Sequence, residues 1–283
     1  MAIDLSGKVA VVTGVLGRLG PVWTEALLGA GARVMGLDIN DRVPAMLAEV
    51  LGQYDTDRFV LVQADVTSRE SLAGGLSTCM ASLGVPDILV NNAGIDQPPS
   101  AAADVWRFGD IPDEISAAVL DVNAQGTLRT CQIFGAEMAR HGRGSVVNIG
   151  SMYGGVAPDP RLYSHLATDP PFLKPPAYGM SKAGVAALSR YLAALWGPLG
   201  LRVNTLSPGG VLGDQDPVFR EKLCDRVPMR RMAGKADLTG PLLFLASDLS
   251  SYVTGTELVV DGGYTCWLYR RNCAASPCLA AAR

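Results

Sequence analysis

The sequence predicts an α/β fold, a single domain built on a parallel sheet with helices on both faces. Three observations carry this. Short β-branched runs alternate with segments of helical length, the pattern of βαβ units joined by right-handed crossovers. The first run ends in a glycine-rich bend that opens into an apolar helical stretch. The 283 residues, 48% hydrophobic and 18% charged, show no compositional break, which favours one large core over two.

Lys8 to Thr13 (KVAVVT) suits a buried parallel strand. It runs into Gly14-Val15-Leu16-Gly17-Arg18-Leu19-Gly20 and then a helical pattern through Ala30. Glycines at such a bend let the backbone approach a pyrophosphate, to which the helix N-terminus offers unpaired N–H groups and a positive dipole end. A second strand, Ala32 to Leu37, ends in Asp38, where a carboxylate would accept hydrogen bonds from adenosine ribose hydroxyls. The same charge repels a 2′-phosphate, so NAD is favoured over NADP; Arg18 and Arg42 are the residues that keep NADP open. Arg58 to Gln63 is a third strand leading into Asp65-Val66, with a helix starting near Ser68. Ile88 to Val90 leads to Asn91-Asn92-Ala93-Gly94, where the asparagines are either turn formers or ligand-edge residues at a strand end.

A helix including Ile115 to Arg140 carries Asn123 among apolar residues. A buried amide there must be hydrogen-bonded, either to backbone or, functionally, to a water or lysine in a proton path. Ser145 to Ile149 forms a strand delivering Gly150-Ser151 to the sheet edge. From 152 to 176 six prolines exclude a continuous helix, and this loop offers Tyr153, Arg161, His165 and Lys174 for substrate recognition, with plain solvation as the alternative. Tyr178 and Lys182 then fall one helical turn apart on a helix running to about Trp196. Tyrosine ionises near pH ~10 in isolation; a neighbouring lysine cation favours the phenolate and is expected to bring it toward working range. Leu201 to Leu206 is a sixth strand ending at Ser207-Pro208-Gly209-Gly210. Residues 211–235 resemble a lid with a short helix at 218–226. A helix over Leu238 to Ala246 and a last strand, Glu257 to Val260, complete the sheet before Asp261-Gly262-Gly263, and 270–283 is expected to be a frayed, disordered tail.

The net charge of −3, with scattered Lys and Arg, argues against nucleic acid or an anionic membrane and for a small-molecule ligand. Neither a signal peptide nor a membrane-length apolar window is present, so a cytoplasmic location is expected. The six cysteines form no CxxC and the two histidines do not join them at metal-ligand spacing, so free thiols and no metal are expected.

Taken together, Thr13-Gly14…Gly20, Asp65, Asn91-Asn92-Ala93-Gly94, Asn123, Ser151, Tyr178, Lys182, Pro208-Gly209 and Asp261-Gly262-Gly263 resemble the short-chain dehydrogenase/reductase family over about residues 5 to 265. The resemblance implies a single-domain doubly wound Rossmann fold with seven parallel strands over residues 1–269, its substrate loop at 152–176 and lid at 211–235. It implies a dinucleotide held by Gly14, Gly17, Leu19, Gly20, Asp38, Asp65, Val66, Asn92, Ala93, Gly94, Tyr178, Lys182, Pro208, Gly209 and Val211. Tyr178 resembles the general acid/base and Ser151 the residue that hydrogen-bonds the reacting oxygen. Lys182 would hold the nicotinamide ribose and lower the tyrosine pKa, and Asn123 would anchor a relay water. Two departures stand out. The chain has TGxxGxxG, with Arg18 where compact members carry glycine, and the step from Ser151 to Tyr178 is 27 residues; both are similar to the extended subgroup acting on nucleotide sugars, although the C-terminal third is compact in kind. The loop at Ser151-Met152-Tyr153-Gly154 and the Ser207–Val211 turn also resemble a branch linked to bacterial surface-sugar and flagellin-glycan modification. The implied reaction interconverts a secondary alcohol and a ketone on a sugar or polyol-like substrate, in a homodimer or homotetramer. The rival readings are an epimerase or dehydratase with transiently reduced NAD and a non-catalytic dinucleotide sensor.

Overall fold

The computed structural model describes residues 3–97 and 104–267. Seven strands form one parallel sheet: β1 (Val9–Thr13), β2 (Arg33–Asp38), β3 (Phe59–Gln63), β4 (Ile88–Asn91), β5 (Gly144–Ile149), β6 (Leu201–Pro208) and β7 (Glu257–Val260), in the order β3-β2-β1-β4-β5-β6-β7. The strand order reverses between β1 and β4, which opens a crevice at their C-terminal ends. β6 outlasts its β-branched run because Thr205 to Pro208 pair with Glu257 to Val260, so the Ser207-Pro208 segment is sheet rather than turn.

One face is covered by α1 (Gly20–Gly29), α2 (Ala45–Leu51) and, from the far end of the chain, α9 (Lys235–Ala246), whose Leu238, Leu242 and Leu245 share a fully buried cluster with Trp23, Leu27 and Leu47. Each such leucine contributes about 2 kcal/mol by leaving water. The other face carries α3 (Arg69–Ser82), the segments α4 (Asp113–Leu120), α5 (Gly126–Thr130) and α6 (Ala136–Arg140), and α7 (Pro176–Trp196). There Leu72, Phe134, Met138 and Trp196 pack on Val11, Leu37 and Val146. Local chemistry sets the helix starts: Ser68 caps α3 through the amide of Ser71 at 3.2 Å, and Pro176 occupies the first turn of α7.

The helix expected from Ile115 to Arg140 is one rod from 113 to 140 interrupted by two π-turns, Asp121–Gln125 and Cys131–Gly135. Asn123 lies in the first. Such wide turns recur at functional sites.

Above the sheet, the 152–176 loop contains two short 3₁₀ turns, and 211–235 contains α8 (Pro217–Arg226), begun by Asp216, which accepts from the amides of Val218 and Phe219 at 2.8 and 3.1 Å. These two segments build a third apolar cluster, Met152, Leu162, Tyr163, Phe172, Phe219, Leu223, Val227 and Met232. Cys79, Cys131, Cys224 and Cys266 are free thiols; Cys273, Cys278 and the 270–283 tail lie outside the described residues. Among those described, no helix is long and apolar enough to cross a membrane, and no group of three or more His, Cys, Asp or Glu could hold a metal.

Candidate active site

A cleft of about 630 Å³ opens along the C-terminal ends of the strands, from Asp38 and Asp65 at one end to Tyr178, Phe219 and Met232 at the other. Its floor is backbone. Gly14 sits at φ +63°, and a Cβ there would stand 2.7 Å from the Cα of Ala93, so only glycine lets β1 and β4 meet this closely. Thr13 Oγ1 accepts from the amides of Asn92 and Ala93, both at 3.0 Å. The Asn92 amide donates to the carbonyls of Thr13 (3.0 Å) and Gly14 (2.9 Å) and accepts from the Trp23 indole at 2.8 Å. The turn, both strand ends and α1 are thereby locked together. Asp38 is buried; its Oδ2 accepts from the Leu16 amide at 2.9 Å and its Oδ1 from Asn40 at 3.1 Å. Asp65 folds onto Thr67, accepting at 2.8 Å from both its amide and its hydroxyl.

Of the residues assigned to a dinucleotide from sequence, Gly14, Gly17, Leu19, Asp38, Asp65, Val66, Asn92, Ala93, Gly94, Tyr178, Lys182, Pro208, Gly209 and Val211 line this one continuous cleft. That continuity, with its backbone floor, fits a nicotinamide dinucleotide. Gly20 does not line it: a Cβ there would fall 2.1 Å from the carbonyl of Val15, so this glycine serves the turn-to-helix packing. Asn91 points into the core, where its amide donates to Asn148 Oδ1 at 2.7 Å and Asn148 continues to Ser189 at 2.9 Å. Arg18 reaches across to donate to the carbonyl of Val211 and so ties the glycine-rich turn to the 211–235 segment.

At the other end, Lys182 is buried and donates to the carbonyl of Ile149 at 2.8 Å. Burial lowers its pKa to about 8, with Asp96 pulling the other way. Tyr178 differs from the sequence expectation. Its pKa is pushed up to about 12, first by burial and then by the Asp96 carboxylate, against the hydrogen bond from Ser151 that lowers it. The Lys182 ammonium lies 5.8 Å from the tyrosine ring centroid, while desolvation dominates. Asn123 is also buried, and its amide is committed: Oδ1 accepts from Ile95 N at 2.8 Å, and Nδ2 donates to Ile95 O at 2.9 Å and Ser181 Oγ at 3.1 Å. This is the backbone-bonded alternative for that residue.

Of the four loop candidates, Tyr153 and Lys174 line the cleft; Arg161 is paired with Asp159, and His165 Nε2 lies 3.1 Å from Asp216, both outside the lining. Sequence reasoning missed Asp96, Tyr163, Gln215, Phe219, Leu223 and Met232, which also line it. Asp96 could have been found from its place two residues beyond Gly94; the others carry no periodic signal.

A family model described as enoyl-(acyl carrier protein) reductase matches residues 18–265. A galactitol 2-dehydrogenase (L-tagatose-forming) of Cereibacter sphaeroides is 34% identical, covering 93% of this chain and 97% of the relative. A short chain dehydrogenase from Leptospira borgpetersenii, solved with bound NAD+, superposes with a TM-score of 0.80 at 33% identity, covering 93% of this chain and 94% of that one. A gluconate 5-dehydrogenase from Burkholderia cenocepacia, solved with NADP and tartrate, gives a TM-score of 0.79 at 27% identity, covering 94% and 98%. With the strand order, the continuous cleft and the Ser151, Tyr178 and Lys182 constellation at its end, these matches establish that the chain belongs to the short-chain dehydrogenase/reductase family, NAD(P)-dependent oxidoreductases acting on CH–OH donors.

Proposed function

We propose that the protein is an NAD-dependent polyol dehydrogenase that oxidises a secondary hydroxyl to a ketone. The observation that carries this is the convergence of Ser151, Tyr178 and Lys182 at the end of the cleft that begins at Asp38; the galactitol dehydrogenase relative supports the substrate class. Bound NAD supplies the hydride acceptor. Ser151 holds the substrate oxygen by hydrogen bond, and Tyr178 takes its proton. With burial and Asp96 holding Tyr178 near 12, a cation is needed to favour the phenolate, and Lys182, charged below about pH 8, is the residue on the same helix face to supply it. Asn123 is a positioning residue: through Ile95 it fixes the segment that carries Asp96 beside Tyr178. Asp38 supports NAD over NADP, since both its oxygens already accept hydrogen bonds and a 2′-phosphate would meet a carboxylate. Met180, Tyr191 and Leu195, exposed on α7, support self-association along that helix.

The test is NADH formation at 340 nm with a polyol panel, NAD and NADP in parallel, and Tyr178→Phe as control. Turnover is expected with NAD, falling by about 10²–10⁴-fold in Tyr178→Phe with NAD affinity unchanged. Normal turnover in that variant would defeat the assignment; NAD retained through purification with no net NADH would favour internal redox chemistry.

A further inference from the structure

This inference rests on the polyol reading above. The substrate end of the cleft holds a charge arrangement that proton transfer does not require. Lys174 leaves the proline-rich loop with its side chain 6% exposed, its Nζ 2.5 Å from Asp96 Oδ2 and 3.0 Å from the carbonyl of Gln97. The same ammonium lies 5.1 Å from the centroid of the Tyr178 ring, nearer than Lys182. Asp96 keeps 37% of its side chain exposed, and both partners line the cleft with Ser151.

A lone ammonium beside the reacting carbon would recruit a carboxylate. Here its charge is already answered, and an acid placed against it would meet Asp96, a like charge in a partly desolvated space. A hydroxyl is suited to the pair, because it can donate to the carboxylate while accepting from the ammonium. Phe219, Leu223 and Met232 line the same cleft and offer nothing to a charge. Fold alone does not choose between these classes, since the Burkholderia neighbour is a gluconate dehydrogenase. We propose that the Asp96–Lys174 pair is the selecting element of the cleft: it binds a second hydroxyl of an uncharged polyol and turns away the matching sugar acid.

The experiment measures kcat and KM with NAD for two matched pairs, galactitol with galactonate and D-arabinitol with D-arabinonate, in wild type, Asp96→Asn and Lys174→Met, with NAD affinity as a check on folding. Wild type is expected to favour the polyols. Asp96→Asn uncovers the ammonium and should shift the polyol-to-acid ratio of kcat/KM toward the acid by about 30-fold, the scale of one hydrogen bond to a charged group, chiefly through the KM of the acid. Lys174→Met should raise the polyol KM with no gain for the acid. A pair that merely fastens the loop would leave the ratio where it was. An unchanged ratio in Asp96→Asn that binds NAD normally overturns the proposal, as does a wild-type preference for the acids. Should Asp96→Asn fail to fold, Lys174→Met decides, and an unchanged polyol KM there overturns it. Wild type that binds NAD but turns over none of the four compounds would remove the polyol reading itself, an outcome separate from any change in ratio.

Discussion

The two ends of the cleft are held by different means. At the Asp38 end the walls are backbone and short side chains fastened into the sheet: Thr13 and Asn92 bridge β1 and β4, and Gly14 closes the approach. At the Met232 end the walls are large side chains from two long loops that hold chiefly each other. Tyr163 stacks on Phe219 with ring centroids 5.9 Å apart, and Arg226 on α8 pairs with Asp159 of the 152–176 loop at 3.0 Å. The first end cannot change without deforming the sheet. The second can be rebuilt as a unit while the dinucleotide cradle stays intact, which is how one framework can serve many substrates.

The most damaging change should therefore fall at the rigid end. Gly14→Ala forces a side chain into a positive-φ position against Ala93 and should cost about 3 kcal/mol in urea unfolding while abolishing NAD binding; a variant that bound NAD normally would show that this end gives as readily as the other. Arg226→Ala leaves the Asp159 carboxylate with Arg161 as a more exposed partner and should cost about 2 kcal/mol. That loss should be confined to 152–176 and 211–235 in hydrogen exchange, with substrate KM raised and NAD affinity unchanged. A parallel fall in NAD affinity would mean that the two ends are one unit.

Lys182→Met separates stability from chemistry. Because burial lowers the lysine pKa from 10.5 to about 8, the folded chain gives up a proton that the unfolded chain keeps between these values. Wild-type stability accordingly rises with pH across that window, and the full desolvation cost is felt below pH 8. The variant should be more stable at pH 7 by about 1–2 kcal/mol, net of the lost bond to Ile149, with the advantage fading toward pH 10.5 and turnover absent. Equal urea midpoints at pH 7 would show that the burial cost is met elsewhere. The smallest effect belongs to Arg18→Ala, which removes an exposed link between the phosphate turn and Val211. We expect under about 0.5 kcal/mol in stability and a few-fold weaker NAD binding, measured by titration calorimetry; a larger loss would make this strap a joint of the two ends.

What could be read from the sequence follows the same division. Thr13, Gly14, Asn92, Ser151, Tyr178 and Lys182 sit at strand ends or on a helix face, where spacing fixes position, and the seven strands were visible as β-branched runs. The far end was not legible, because Tyr163, Phe219, Leu223 and Met232 come from segments without periodicity and meet only through tertiary packing. Asp96 and Lys174 are 78 residues apart, so neither suggests the other. The direction of the Tyr178 shift was misjudged because Lys182 is visible as a neighbour in sequence, whereas burial is a property of the folded surroundings. At Gly20 the motif does not say which face of the backbone the glycine clears; the fold shows that its missing Cβ makes room for the Val15 carbonyl.

The two π-turns in the rod from 113 to 140 have a consequence for how this chain can evolve. Each wide turn accommodates an extra residue, and one residue of α-helix is about 100° of rotation. Point substitutions on the solvent side of the rod should be absorbed, and deleting a single residue at 124 or 125 would let the turn relax to ordinary α geometry with everything beyond it still in register. The buried Cys131, Phe134 and Met138 would keep facing their partners, whereas a deletion that no wide turn can take up would rotate them away by about 100°. The wide turns are where the length of this helix can change, and a deletion scan along it should show two maxima in folded yield, one at each wide turn.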